Sequence, residues 1–323
     1  MLKTGKKLFI TIVFALSMMQ SASAAEYLIP VGKVVGLELD TQQITVAAFD
    51  DALGGGARAS GLRIGDRITQ IDDRDVKSVE DVRNVLSRSD GTVTIRCVRS
   101  GKEKVFKTQP SITSEGPRLG VYLKEGVTGV GTVTWYDPDT GKFGTLGHGV
   151  SVGGGEPVPM YSGNAYRASV VSVKKGQAGA PGQLLGSIDR ANPIGTLTKN
   201  TEQGVFGVSD SAFDGQAVPV GETDEIRTGS ATILSTVQGT QVQEYSVEIL
   251  KIYPNSRSSG RNMLIRVTDP RLLQTTGGIV QGMSGSPILQ EGKLIGAVTH
   301  VLVNDPTSGY GIFIENMLKN IPE

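Results

Sequence analysis

Apolar and polar positions alternate in short runs along most of the chain, with turn residues between them. The run Thr92-Val93-Thr94-Ile95-Arg96-Cys97-Val98 has a period of two, as one face of a half-buried strand requires. Gly131-Thr132-Val133-Thr134-Trp135-Tyr136, residues 168–173 and residues 245–252 are rich in β-branched and aromatic side chains, and Leu294-Ile295-Gly296-Ala297-Val298-Thr299 reads as an apolar strand. Helical spacing is rarer. Val79, Val82, Val85 and Leu86 fall on one helical face behind Ser78 as N-cap and Asp81 as its acidic partner, predicting a short amphipathic helix that ends near Ser87. With no long helical periodicity, the pattern predicts a mainly β protein built as antiparallel barrels or sandwiches.

One apolar stretch departs from this pattern. Residues 8–19 follow Lys3, Lys6 and Lys7 and precede Ala22 and Ala24, the arrangement of an export signal with an A-x-A cleavage site after Ala24. The rest of the chain is expected outside the cytoplasm, whether the signal is removed or kept as a tether. Lys plus Arg and Asp plus Glu both number 32 in 323 residues, so no basic excess exists to hold a nucleic-acid backbone. Nucleic acid is not an expected partner. Cys97 is the single cysteine, which excludes an intrachain disulfide and a four-cysteine zinc site. Neither metal nor cofactor is expected.

A first folded unit is expected over residues 27–112. In Ala59-Ser60-Gly61-Leu62-Arg63-Ile64-Gly65-Asp66-Arg67-Ile68 two glycines supply turn conformations, and Asp66 is placed to accept from backbone N–H groups as the chain enters a strand. Together with the helix at 79–86 this resembles a PDZ domain, which binds an extended peptide as an added strand between a sheet edge and a helix. The resemblance implies that Val35, Gly36 and Leu37 lie in the loop that holds the peptide carboxylate. Turn and breaker residues over 110–117 then lead into a second unit, expected over 115–323.

The candidate chemistry lies in Gly282-Met283-Ser284-Gly285-Ser286-Pro287. A serine hydroxyl attacks a carbonyl only when a base takes its proton and donors hold the resulting oxyanion. Glycines on either side let the backbone turn so that the N–H groups of Gly282 and Ser284 converge on one point. Ser286 is a rival nucleophile, but it precedes Pro287 and lacks a following glycine. The element resembles the Gly-x-Ser-Gly-x-Pro segment of chymotrypsin-like peptidases. A histidine base must be His148 or His300, the two histidines of the chain. His148 sits among small neighbours in Gly144-Thr145-Leu146-Gly147-His148-Gly149-Val150, whereas His300 ends an apolar strand and reads as pocket-lining. For the orienting carboxylate, Asp189, Asp210, Asp214, Asp224 and Asp269 all lie between His148 and Ser284, and spacing weakly favours Asp189.

The segments around His148 and Ser284, with Gly296-Ala297-Val298-Thr299-His300-Val301 and the ending from Asn304-Asp305-Pro306 to Glu315, closely resemble the SpoIVB peptidase family of endospore-forming bacteria. The resemblance implies a PDZ domain followed by a chymotrypsin-like double β-barrel, and a triad of His148, Asp269 and Ser284, since the family's aspartate stands shortly before its serine. It further implies a forespore-secreted serine endopeptidase acting in the space between two membranes. Such an enzyme cleaves the extracytoplasmic part of a membrane regulator, so that a sporulation sigma factor is processed, and cleaves itself in trans. Two other readings fit the same organisation: a secreted PDZ adaptor with an inactive peptidase-like domain, and a general quality-control protease. Preference at the cleavage site is not legible; chymotrypsin analogy puts the pocket floor near Gly278.

Overall fold

The computed structural model describes residues 27–151, 155–256 and 260–321, and the expected export signal lies outside these described residues. The chain opens with β1 (Tyr27–Pro30) and the long strand β2 (Val34–Phe49). It then forms α1 (Gly55–Ala59), β3 (Arg67–Ile71), β4 (Arg74–Asp75), α2 (Val79–Leu86), β5 (Val93–Arg99), β6 (Lys102–Thr108), β7 (Ser111–Thr113) and β8 (Gly116–Arg118). A second long strand, β9 (Val121–Tyr136), is followed by β10 (Lys142–Thr145), β11 (Ser162–Lys174), β12 (Gln183–Thr201), β13 (Gly204–Ser209) and β14 (Val218–Pro219). The remainder comprises β15 (Gly229–Gln238), β16 (Gln241–Ile252), β17 (Met263–Val267), α3 (Pro270–Thr276), β18 (Pro287–Gln290), β19 (Lys293–Leu302), β20 (Asp305–Phe313) and α4 (Ile314–Leu318).

Two closed antiparallel barrels form the larger part. Strands β9, β10, β13, β12, β11 and β2 are neighbours in that order, and β2 pairs back to β9 to close the ring. Val35, Leu37, Leu39, Val133, Phe143, Ala165, Leu197 and Val205 fill its interior. The second barrel runs β15-β16-β17-β20-β19-β18. Tyr245, Val247 and Ile249 of β16 turn inward at every second position, against Met263, Ile265, Met283, Ile288 and Phe313. Closure leaves no open edge in either ring.

The smaller unit has the expected PDZ arrangement. Its core gathers Ile44, Val46, Leu62, Ile68, Ile71, Val82, Val85, Leu86, Val93 and Ile95. Ser78 and Asp81 form a reciprocal capping box on α2, and the helix ends at Ser87 as its periodicity predicts. Asp66 is fully buried, accepts from the Arg63 N–H and pairs with the Arg99 guanidinium at 2.6 Å, which ties the turn at Gly65 to β5. Cys97 is buried in β5, and that burial pushes its thiol up to about 11. It is an inert packing residue.

The expected boundary at residue 27 is corrected by the pairing. Strand β1 bonds to β9 and β14, and residues 34–39 of β2 bond to β9 on one side and, from Val35 on, to β11 on the other. Both segments therefore belong to the first barrel. The PDZ unit is an insertion: the chain leaves the barrel along β2 and returns along β9. Val35, Leu37 and Leu39 point into the barrel core while Ile44 and Val46 point into the PDZ core, an odd-to-even change of phase. It arises where residues 40–43 oppose the single Gly126, because Leu39 pairs with Val127 but Ile44 with Glu125. Gly126 has φ 62°, and a Cβ there would lie 2.0 Å from the Leu39 carbonyl oxygen.

Candidate active site

The nucleophile segment spans the turn between α3 and β18. Met283 is buried in the second barrel's core and Ser286 is fully buried with its hydroxyl donating to Ser235 Oγ, so the residue between them that reaches the surface of the cleft is Ser284. Ser286 is thereby removed as a rival. Gly285 has φ 96°, and a Cβ on it would come within 2.0 Å of the Thr132 carbonyl oxygen. Only glycine fits where this loop crosses the first barrel.

Two peptide carbonyls beside Ser284 are tied down. The Gln281 carbonyl accepts from the Leu184 N–H at 2.8 Å, and the Met283 carbonyl accepts from the Ser286 N–H at 2.9 Å. In a trans peptide the N–H points opposite to its own C=O. The N–H groups of Gly282 and Ser284 are consequently turned away from those bonds, and neither has an acceptor among the described residues. A pair of free, fixed donors flanking a serine is what an oxyanion hole requires.

Both histidines line the same cleft of about 830 Å³ as Ser284. His148 follows Leu146 and Gly147, two consecutive left-handed residues with φ 71° and 67°. For a leucine that conformation costs roughly 1–3 kcal/mol. It is held by the burial of the Leu146 side chain, which occupies the space a Cβ on Gly131 would need. The Gly149 carbonyl lies 2.9 Å from His148 Nδ1. A carbonyl only accepts, so Nδ1 carries the proton and Nε2 keeps its lone pair. Burial pushes the His148 pKa down, and the bond to Gly149 only partly offsets it. The neutral ring is favoured, with its Nε2 lone pair free of the Gly149 bond. His300 lies with its ring centroid 5.3 Å from that of His148, its buried Nδ1 has no partner among the described residues, and burial, with His148 and Arg261 nearby, brings its pKa to about 4. The Ser284 hydroxyl donates to the Thr299 carbonyl at 2.8 Å.

The carboxylates expected at this site are elsewhere. Asp269 is 5% exposed and N-caps α3, accepting from the N–H groups of Arg271 and Leu272 and pairing with the Arg271 guanidinium at 2.8 Å. That guanidinium, then the backbone bonds, hold its carboxyl down to about 2. Its acceptor sites are taken by its own helix and by the Ser246 N–H of β16, and the structure does not bring it to His148. Asp189 bonds to Ala191 and Asn192 within its own turn. Asp210, Asp214 and Asp224 also lie outside the cleft, whose acidic lining residues are Glu156 and Glu202. Among the described residues His148 takes its orientation from the Gly149 carbonyl, a group invisible in sequence.

The family model described as SpoIVB peptidase S55 matches residues 115–318, well over half of the chain. The chain belongs to the SpoIVB peptidase S55 family. This S55 member is a serine endopeptidase, and a model described as PDZ domain matches its residues 53–99. No curated protein matches it. Similar solved structures include the PDZ domain of an SdrC-like protein from Listeria monocytogenes, at 25% identity over 25% of this chain and 85% of that one, with a TM-score of 0.22. The active form of the Rv3671c protease from M. tuberculosis is 16% identical over 60% of this chain and 72% of its own, with a TM-score of 0.35. The HtrA-type protease AlgW with a decapeptide is 15% identical over 64% and 56%, with a TM-score of 0.36.

In this S55 peptidase the PDZ groove is not where the sequence placed it. Val35 and Leu37 are buried in the first barrel, and Gly36 is paired on both sides, to Val130 and Tyr166. No backbone donor is left there for a peptide carboxylate. A groove of about 450 Å³ instead runs between α2 and the start of β9, lined by Val79, Val82, Leu86, Leu119, Val121 and Leu123. The Gly120 carbonyl accepts from the Asp50 N–H, so the backbone groups of Val121 next to it face the opposite, unpaired edge. Leu119-Gly120-Val121 entering an alternating strand was the available signal. It fell just past the stretch read as a linker, in residues given to the second unit.

Proposed function

We propose that this S55 peptidase is exported, uses Ser284 as nucleophile and His148 as general base, and cleaves the extracytoplasmic part of a membrane regulator in the intercompartmental signalling of sporulation, cleaving itself as well. The observation that carries the catalytic part is the pairing, in one cleft, of a neutral Nδ1-protonated His148 with Ser284 and its two unpartnered N–H groups. The Thr299 carbonyl that now accepts from Ser284 belongs to β19, where a substrate strand would lie. A substrate N–H that takes this carbonyl releases the hydroxyl toward His148 Nε2. The proton passes to Nε2, Oγ bonds to the scissile carbon, and the carbonyl oxygen gains the charge that the Gly282 and Ser284 N–H groups receive. The imidazolium then protonates the leaving amine. Family membership and the PDZ groove support a protein substrate and a peptide ligand, and the signal-like pattern of residues 1–24 supports export.

The test is production of the chain from residue 25 onward, alone and with Ser284→Ala, with fragments followed by mass spectrometry. Wild-type protein should cut itself and Ser284→Ala should not, unless wild-type chains are added in trans. Undiminished self-cleavage by purified Ser284→Ala would sink the proposal.

A further inference from the structure

We infer that Thr132, in β9, is a positioning residue for catalysis, one that clamps the serine loop and the histidine loop to each other across the two barrels; the inference rests on the Ser284 and His148 reading above. Every hydrogen-bonding group of this fully buried residue is committed to one loop or the other. Its hydroxyl donates to the Gly282 carbonyl at 2.9 Å, and its N–H donates to the Ser284 carbonyl at 3.0 Å. Its own carbonyl accepts from Thr145 Oγ1 at 2.6 Å and from the Leu146 N–H at 3.3 Å, at the root of the segment carrying His148. The same carbonyl oxygen occupies the space that a side chain on Gly285 would need.

The hydroxyl is the part with a function beyond pairing strands. Gly282 has φ 99° and no side chain, so among the described residues the peptide carrying its carbonyl is held by the Thr132 hydroxyl at one end and by the Met283 N–H, which donates to the Val280 carbonyl at 3.1 Å, at the other. Without the Thr132 hydroxyl the Gly282 carbonyl is left without a donor, and the relief open to it is to turn toward the water of the cleft. A carbonyl oxygen turned that way repels the charge that develops on the substrate oxygen. Misplacement of such a site by about 1 Å is enough to cost about 100-fold in rate.

The substrate is not needed to test this. An alkyl fluorophosphonate reacts with an activated serine, so the second-order rate of Ser284 labelling, read across pH on the full chain, reports the nucleophile, base and oxyanion donors together. Two pairs isolate the hydroxyl: Thr132→Val against wild type, and Thr132→Ala against Thr132→Ser, each pair nearly matched in volume. If Thr132→Val does not fold, as judged by a cooperative melting transition, the Ala and Ser pair decides. In each pair the variant without the hydroxyl should label about 10- to 100-fold more slowly, with the pH midpoint unchanged because His148 is untouched, and Thr132→Ser should stay within about threefold of wild type. Equal rates within both pairs, or a Thr132→Ser as slow as Thr132→Ala, would overturn the inference alone. Absence of labelling at Ser284 in the wild type would overturn the nucleophile assignment, and this inference with it.

Discussion

At the scale of single residues, the site depends on groups that stay neutral. Burial lowers the pKa of His148 and so favours its neutral form, and among the described residues no carboxylate bonds to the ring. As a base it must be unprotonated, so a lowered pKa extends activity to the acid side. The acid limb of the labelling rate or of kcat/KM is expected to have its midpoint below 6.5, the ordinary histidine value. A midpoint above 6.5 would mean that a carboxylate reaches the ring. His300 bears on stability in the same pH range. Its folded pKa of about 4 lies under the unfolded 6.5, so the unfolded chain binds the extra proton and stability declines as pH falls from 6.5 toward 4. Ser284 and His148 could be singled out from the sequence because few residues could fill the proposed roles: the chain offers two histidines and one glycine-flanked serine of this kind. Thr132, Thr299 and the Gly149 carbonyl were not, because a threonine in a β-branched run is ordinary strand composition and a main-chain oxygen has no letter of its own.

Among the elements, α3 shows how one dipeptide can carry two meanings. Asp269-Pro270 can present a carboxylate to a histidine, or it can start a helix with an N-cap and a proline at the first position. The structure takes the second course and adds Arg271 to the capped carboxylate. Asp269→Ala should therefore destabilise the fold by about 1–2 kcal/mol, seen as a lower midpoint in urea, while the labelling rate of the folded fraction stays within about threefold of wild type. Loss of labelling without loss of stability would return Asp269 to His148. Other elements were read correctly because their signals are local: the capping box and apolar face fix α2, and strict alternation fixes β5. The long β2 was not, since its two halves face different cores and its partners lie far along the chain, Val34 opposite Thr132 and Ala165 opposite Leu37. Without β2 in the barrel, Val35, Gly36 and Leu37 had only the PDZ analogy to place them.

For the molecule as a whole, the insertion changes what a truncation means. Removing residues 27–112 as a leading domain would strip β1 and β2 from the first barrel and open its ring. Such a protein should be insoluble or lack a cooperative melt. Removing residues 40–126 and joining Leu39 to Val127 through a two-residue Asn-Gly turn should instead preserve both barrels, because those ends already face each other as paired residues. A soluble product that melts cooperatively and labels at Ser284 is the expected result; an unfolded product would show that the ribbon needs the PDZ unit to stand.

The same ribbon sets the order in which this chain can assemble. During synthesis β2 emerges early, but the strand that must lie beside it in the first barrel comes only after the whole PDZ unit has been made. Closing so long a loop from a random coil is slow and entropically unfavourable. A PDZ unit that folds first, joining Ile44 and Val46 to Leu123 and Glu125 within its own sheet, shortens the open gap to a few residues on either side. The barrel halves of β2 and β9 then meet already in register. On this order of events the inserted unit would act as a nucleus for the first barrel, bringing residues 34–39 of β2 to their partners 127–132 of β9.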